Sequence, residues 1–298
     1  MKTKALSILG RPLMVACVSA AMYSAHVAPA QEPDSPAKDK NESADNANKR
    51  KLAVMRKLAE AIHVKTGEGE ASNQAKLIPE PLFRFSDQAR LLPDGSVWGW
   101  GTAGRPVMMV EFRTYDRTPG EWGYDLTATS DVQFSADVTG HGRWAPRKSD
   151  FKLLPAGDIA PPAKTEAARL RQMKQFARSL NASELWKGQR SELRLLPTEV
   201  HRYSDAASGI VDGAAFIIVV GSNPEAILLV EAHRAESNPS APGTWKYGLA
   251  RMSAAEMTFR LGDSEVWKVP EDHGGPAASY YSFWRADAVP APAPRDLK

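Results

Sequence analysis

The sequence predicts an α+β fold of two tandem, homologous modules, each an amphipathic helix followed by an antiparallel sheet of about five or six strands. Three observations carry this: an ordered series of internal matches, an apolar helical stripe at the start of each copy, and short apolar runs punctuated by turn residues. Leu77-Ile78-Pro79 falls on Leu195-Leu196-Pro197 at an offset of 118. Arg84-Phe85-Ser86-Asp87 and Asp94-Gly95 meet Arg202-Tyr203-Ser204-Asp205 and Asp212-Gly213 at that same offset. The offset reads as 120 at Glu111 and Glu231, and as 123 where Trp122, Tyr124 and Trp144 meet Trp245, Tyr247 and Trp267. The two copies span 49–155 and 166–285, joined by a Pro/Ala linker over 156–165.

The helices come first. Leu52, Met55, Leu58, Ala59 and Ile62 recur at spacings of three and four, which makes one apolar stripe, and Leu170, Met173, Phe176, Ala177 and Leu180 repeat it. Strands follow. Ala214–Gly221 and Ala226–Glu231 are apolar runs around Ser222-Asn223-Pro224-Glu225, a buried hairpin. Ser96–Gly101 and Val107–Phe112 are its counterparts. Trp122–Thr127 and Trp245–Met252 come next, then a last hairpin turning at Gly140-His141-Gly142 in one copy and Gly262-Asp263 in the other.

The ends differ in kind. Lys2, Lys4 and Arg11 precede an uncharged stretch over 12–25, then Ala28-Pro29-Ala30 and polar Gln31: the pattern of a cleaved signal peptide over 1–30. The apolar stretch is shorter than the roughly 20 residues that span a bilayer, so no integral span is expected after cleavage. A lipoprotein anchored through Cys17 is the minor alternative. The expected location is secreted or periplasmic. Residues 31–48 are polar and read as a disordered leader, and 286–298 as a Pro-rich disordered tail.

The chain has 298 residues, 43% hydrophobic and 24% charged, the profile of a folded protein. Removing 1–30 leaves 35 basic and 35 acidic residues, so the formal charge is zero. Nucleic acid is excluded as a partner, because displacing phosphate counterions needs a positive surplus. The mature chain has no cysteine, which excludes disulfides, thiolate zinc sites and thiol nucleophiles.

The run of matches through "LRLLP", "RYSD", "DGAAFIIVVGSNPEAILLVEA" and "LARM" resembles a family of uncharacterised exported proteins predicted from planctomycete genomes. The resemblance covers about residues 50–270 and is strongest in the second copy. That family has no assigned activity, so the likeness implies architecture and export and brings no catalytic residue.

No nucleophile signature, phosphate loop or dinucleotide fingerprint is present, so no catalytic residue and no cofactor are expected. Trp98 and Trp100 alternate with glycines, which suits either a core or a sugar-stacking platform, although the second copy puts Phe216 and Ile218 there. Arg84 and Arg202 are anion-binding candidates, or partners of a carboxylate beside a turn made by Asp87 or Asp205. Asp94-Gly95 and Asp212-Gly213 read as turns. Glu111 and Glu231 are a pair for carbohydrate chemistry if 5–10 Å apart, or strand-end partners of Arg84 and Arg202. His201 and His233 are a metal candidate of the second copy alone. The expected function is a non-enzymatic exported protein that binds an envelope or extracellular protein or a glycan through the groove between modules. The alternative is a carbohydrate-binding or carbohydrate-active protein.

Overall fold

The computed structural model describes residues 36–286 except 68–71, 102–103, 116–117, 119, 148–150, 158 and 236–242. The expected signal peptide and all of the expected tail but Ala286 lie outside the described residues. The chain divides into Met1–Ala44 and a compact unit, Asp45–Lys298, that holds every strand. Among the described residues, no helix is long and apolar enough to cross a membrane.

The first half opens with α1 (Pro36–Glu60), so residues 36–48 are helical where a disordered leader is expected. Charged and amide residues suit helix when no β-branched run or internal proline interrupts them. The second half opens with α2 (Glu166–Ser179), capped by Thr165, whose hydroxyl accepts from the Ala168 N–H at 3.3 Å. Met55, Leu58 and Ala59 are buried, as are Met173, Phe176 and Ala177 at the same spacing.

Among the described residues nine strands follow each helix, more than the five or six expected. The first set is β1 (Ile62–Thr66), β2 (Asn73–Ala75), β3 (Phe83–Asp87), β4 (Leu92–Trp100), β5 (Met108–Thr114), β6 (Glu121–Ala128), β7 (Phe134–Val138), β8 (Gly142–Trp144) and β9 (Leu154–Pro155). The second set is β10 (Leu180–Trp186), β11 (Gln189–Leu195), β12 (His201–Asp205), β13 (Ile210–Val220), β14 (Asn223–His233), β15 (Thr244–Arg251), β16 (Glu256–Leu261), β17 (Ser264–Val269) and β18 (Tyr280–Ala286).

The pairings are antiparallel and recur in order. The first half forms β2-β1-β7-β8 and β18-β6-β5-β4-β3. The second forms one larger sheet, β17-β16-β10-β11-β13-β14-β15-β9, with β12 on β13. What joins its two parts is the pairing of Arg194 with Val219 and Leu195 with Ile218. The first half has only a bridge, Leu77 to Trp100, at that place.

The last strands are exchanged between halves. β9, from the end of the first, pairs with β15, and β18, from the end of the second, pairs with β6. The expected module borders at 155 and 285 are therefore crossed by the final strand of each. Register also corrects the alignment within β5. Val97 pairs with Glu111 while Ala215 pairs with Leu229; Gly95 pairs with Arg113 while Gly213 pairs with Glu231. Glu231 thus corresponds to Arg113, and Glu111 to Leu229, at 118 and not 120.

Three cores result. One lies between α1, the four-stranded sheet and one face of β4–β6, and includes Trp98, Trp100, Phe112 and Tyr124. Its counterpart contains Phe176, Phe216, Leu228 and Tyr247. The third lies between the halves, where Val97 and Met109 pack with Ala215, Ile217, Ile227 and Leu229. The central strands are thus buried on both faces, which is why they read as near-continuous apolar runs.

Asp94-Gly95 and Asp212-Gly213 are strand residues and not turns. Each Asp is buried and holds an arginine, and each Gly lies under the aromatic ring of its cross-strand partner, Phe85 or Tyr203. A methyl group on Gly213 would run into the Tyr203 ring. Gly213→Ala is expected to destabilise the fold by about 1–3 kcal/mol. Gly275→Ala, where a methyl meets open space, should stay within about 0.5 kcal/mol of the parent in the same urea melts.

Candidate functional site between the halves

The structure separates most of the sequence candidates. Trp98 and Trp100 are 0% and 1% exposed, so neither can form a sugar platform; they fill the first core because their strand face meets α1. Arg84 donates to Asp94 at 3.0 and 2.7 Å, and Arg202 to Asp212 at 2.6–3.0 Å, which leaves neither guanidinium for a free anion. Asp87 accepts from the Arg90 N–H, and Asp205 from the Ala207 N–H, each stabilising a turn. Glu111 and Glu231 are both wholly buried and pair with neither Arg84 nor Arg202. Glu111 accepts from Arg113, and Glu231 from Arg105, so they are not a paired acid and base. His201 and His233 lie on opposite sides of β13, level with Ala215 and Ile210, and do not meet. Among the described residues, no three His, Cys, Asp or Glu side chains converge to hold a metal ion.

What the halves do build is a pair of clefts where their facing sheets meet. The turns set these up reciprocally: Asp87 lies against Gly221 and Asp205 against Gly104. One cleft is filled. Arg105 enters it from the first half, donates to Glu231 at 2.6 and 3.0 Å, lies 3.6 Å from Asp131 and sits over the Phe151 ring. Glu231 also accepts from the Tyr203 hydroxyl at 2.8 Å and meets His233 Nε2 at 2.7 Å.

The other cleft is open, with a cavity of about 600 Å³. At an offset of 118, Asn223 stands here for Arg105, Arg113 for Glu231 and Tyr115 for His233, and all three line the cavity. Tyr280, paired with Thr127 on β6, also lines the cavity. The shorter Asn223 leaves the space that the arginine fills opposite. Arg90 reaches in from the turn after β3, donates to Glu225 at 2.8 Å and lies 3.6 Å from Glu184. Asn223 donates to the same Glu225 oxygen at 2.8 Å, while its own carbonyl is buried and unpartnered. Trp186 and Trp284 complete the wall, and Trp284, at 40% exposure, opens to solvent. Leu91 in this wall holds a left-handed φ of 58°, where the second half has Gly209 at 73°. That conformation costs a branched residue about 1–2 kcal/mol.

The charges of the open cleft are unevenly balanced. Arg113 lies between Glu111 and Asp125, and Tyr280 donates to Asp125 at 3.0 Å. Burial pushes Glu111 up to about 8, against the attraction of Arg113, and leaves its second oxygen without a partner. Burial and then the neighbouring Glu225 carboxylate push Glu184 up to about 7. In the filled cleft the balance goes the other way. Burial opposes ionisation of Glu231, but its bonds from His233 and Arg105 and the Arg105 charge outweigh it and bring it down to about 2.

The chain matches no family model, no curated protein and no solved structure.

Arg90, Glu184 and the pair Asn223 and Glu225 escape a motif search because they come from three distant segments. Their signal is difference: at an offset of 118 the pairs are Arg90/Ser208, Arg105/Asn223, Val107/Glu225 and Thr66/Glu184. Such pairs can be compared only after the register of β5 and β14 is known.

Glu111 and Glu184 bind protons more tightly when folded than their ordinary 4.5. Their contribution is fully present below that value and is lost as pH rises toward 7 and 8, by about 1.4 kcal/mol per pH unit for each group. Melting temperature is therefore expected to fall between pH 5 and pH 8. Glu111→Gln, which keeps an acceptor for Arg113, should flatten that fall and melt higher than the parent at pH 8.

Proposed function

We propose that this is an exported, non-enzymatic binding protein, made of two copies of one α+β unit related by an approximate twofold axis, that holds a small polar ligand in the open cleft lined by Trp186, Asn223 and Glu225. The observation that carries the reading is the asymmetry of the two clefts. A plain duplicate would have two alike, whereas here Arg105 fills one and Asn223 leaves the other open with buried charged groups around it. The basic, apolar and small-residue order of 1–30 supports export, as does the resemblance to exported planctomycete proteins.

A binding role accounts for the carboxylates better than catalysis does. Glu225 and Glu184 both lie against the Arg90 guanidinium, at 2.8 and 3.6 Å, as ion-pair partners. The lining is mixed, with aromatic walls and convergent polar groups, as small-molecule sites are. A glycan is the second reading, and it now rests on Trp186 and Trp284 with Asn223 and Gln189, in place of Trp98 and Trp100.

The test is a thermal-shift screen of the purified chain against sugars, amines, carboxylates and envelope fragments. A specific ligand raises the melting temperature by preferential binding to the folded state. Trp186→Ala should abolish that shift and leave the unliganded melt cooperative. A ligand whose shift survives both Trp186→Ala and Glu225→Gln would place binding elsewhere and overturn the reading.

A further inference from the structure

The open cleft is lined by more carboxylates than guanidiniums. Glu184, Glu225 and Asp125 line it against Arg90 and Arg113, and both guanidiniums are already engaged. Glu111 stands directly behind Arg113, and Arg251 behind Tyr280, with Arg251 donating to the Ser253 and Ala255 carbonyls. Of these seven groups four are acids and three are arginines, so the cleft gains its excess negative charge only as pH rises past about 7 and 8 and Glu184 and Glu111 lose their protons. The buried polar atom in its wall that lacks a partner, Asn223 Oδ1, is also an acceptor. Glu184 and Trp186 are two apart on β10, so carboxylate and indole face the cavity from the same side of the strand. In the filled cleft, the space left open beside Asn223 is taken by the guanidinium of Arg105.

We infer that the occupant of the open cleft is an organic cation, a guanidinium or ammonium group that bonds Glu184 and Glu225 and lays its hydrocarbon flank on Trp186. This deepens the ligand-binding reading and rests on it. The protein itself supplies such a group in one cleft and leaves it to be supplied from outside in the other. A cavity of about 600 Å³ is far larger than a metal ion needs and suits an organic molecule. Aromatic faces add attraction for a cation at partly desolvated sites. Glu184 holds its proton up to about 7, facing Arg90 and Glu225, with Lys187 over Trp186 and His273 at the mouth. The cation therefore competes with that proton.

The experiment is isothermal titration calorimetry of the full chain with agmatine, glucose and acetate as separate probes, at pH 6 and pH 8. Agmatine is expected to bind, roughly tenfold tighter at pH 8 than at pH 6, since one carboxyl near 7 must lose its proton. Glu184→Gln should weaken it at least tenfold. Asn223→Arg, which rebuilds in this cleft the plug of the other, should abolish it. Where Asn223→Arg does not fold, Glu184→Gln decides, because it keeps the shape of the cavity. Glucose or acetate binding that Asn223→Arg abolishes, with agmatine silent, overturns the cation and leaves the cavity reading standing. Agmatine binding that neither variant changes overturns the placement. Silence of all three probes overturns the cation inference, while the broader screen then decides the cavity reading on its own.

Discussion

Everything in the compact unit follows from sheets that must be covered twice. The central strands β4–β6 and β13–β15 carry apolar side chains on both faces, and a helix can cover only one of them. The uncovered face of each sheet finds the other, and Val97, Met109, Ala215, Ile217, Ile227 and Leu229 are buried by that meeting. Neither half could expose this face to water without losing the burial that offsets its ordering entropy. The exchange of β9 and β18 ties the halves further, since each half supplies the edge strand of the other's sheet.

Charged residues on such a face are costly, and the two halves handle that cost at the same position in opposite ways. Arg113 in one is Glu231 in the other. Glu231 receives an arginine, a tyrosine hydroxyl and a histidine, which together compensate its desolvation and hold it ionised. Arg113 receives Glu111 and Asp125, more acid than one guanidinium neutralises, so burial holds the Glu111 proton on. One side of the interface is thus saturated and the other is not. The unsaturated side is where Asn223 leaves room, where Leu91 tolerates a left-handed backbone, and where Glu184 and Glu225 share one arginine. A left-handed Leu91 and the unpartnered Asn223 Oδ1 coincide in this cleft.

Much of the architecture was legible. The helical stripes at Met55, Leu58 and Ala59, and at Met173, Phe176 and Ala177, are local periodicity, and local periodicity survives folding. So is the hairpin around Ser222. The site was far less legible. Trp98 and Trp100 alternate as platform residues would, and only the position of α1 shows that their face points inward. Asp94-Gly95 has the composition of a turn, yet Arg84 and the Phe85 ring hold it in a strand. Glu111 and Glu231 matched by identity at an offset that the hydrogen-bond register does not allow.

The sequence by itself determined the α+β class, two helices with their buried faces, the order of the central strands, and the neutral, cysteine-free character of the chain after residue 30. These follow from composition and from spacings of two, three and four residues. The tertiary structure alone decided which sheet each last strand joins, which residues of the two halves correspond, and which of two related clefts is open. Those depend on contacts between residues more than a hundred positions apart, such as Arg105 with Glu231 and Arg90 with Glu225. No local pattern encodes them, because the energy of a buried ion pair depends on what surrounds it in space and not along the chain.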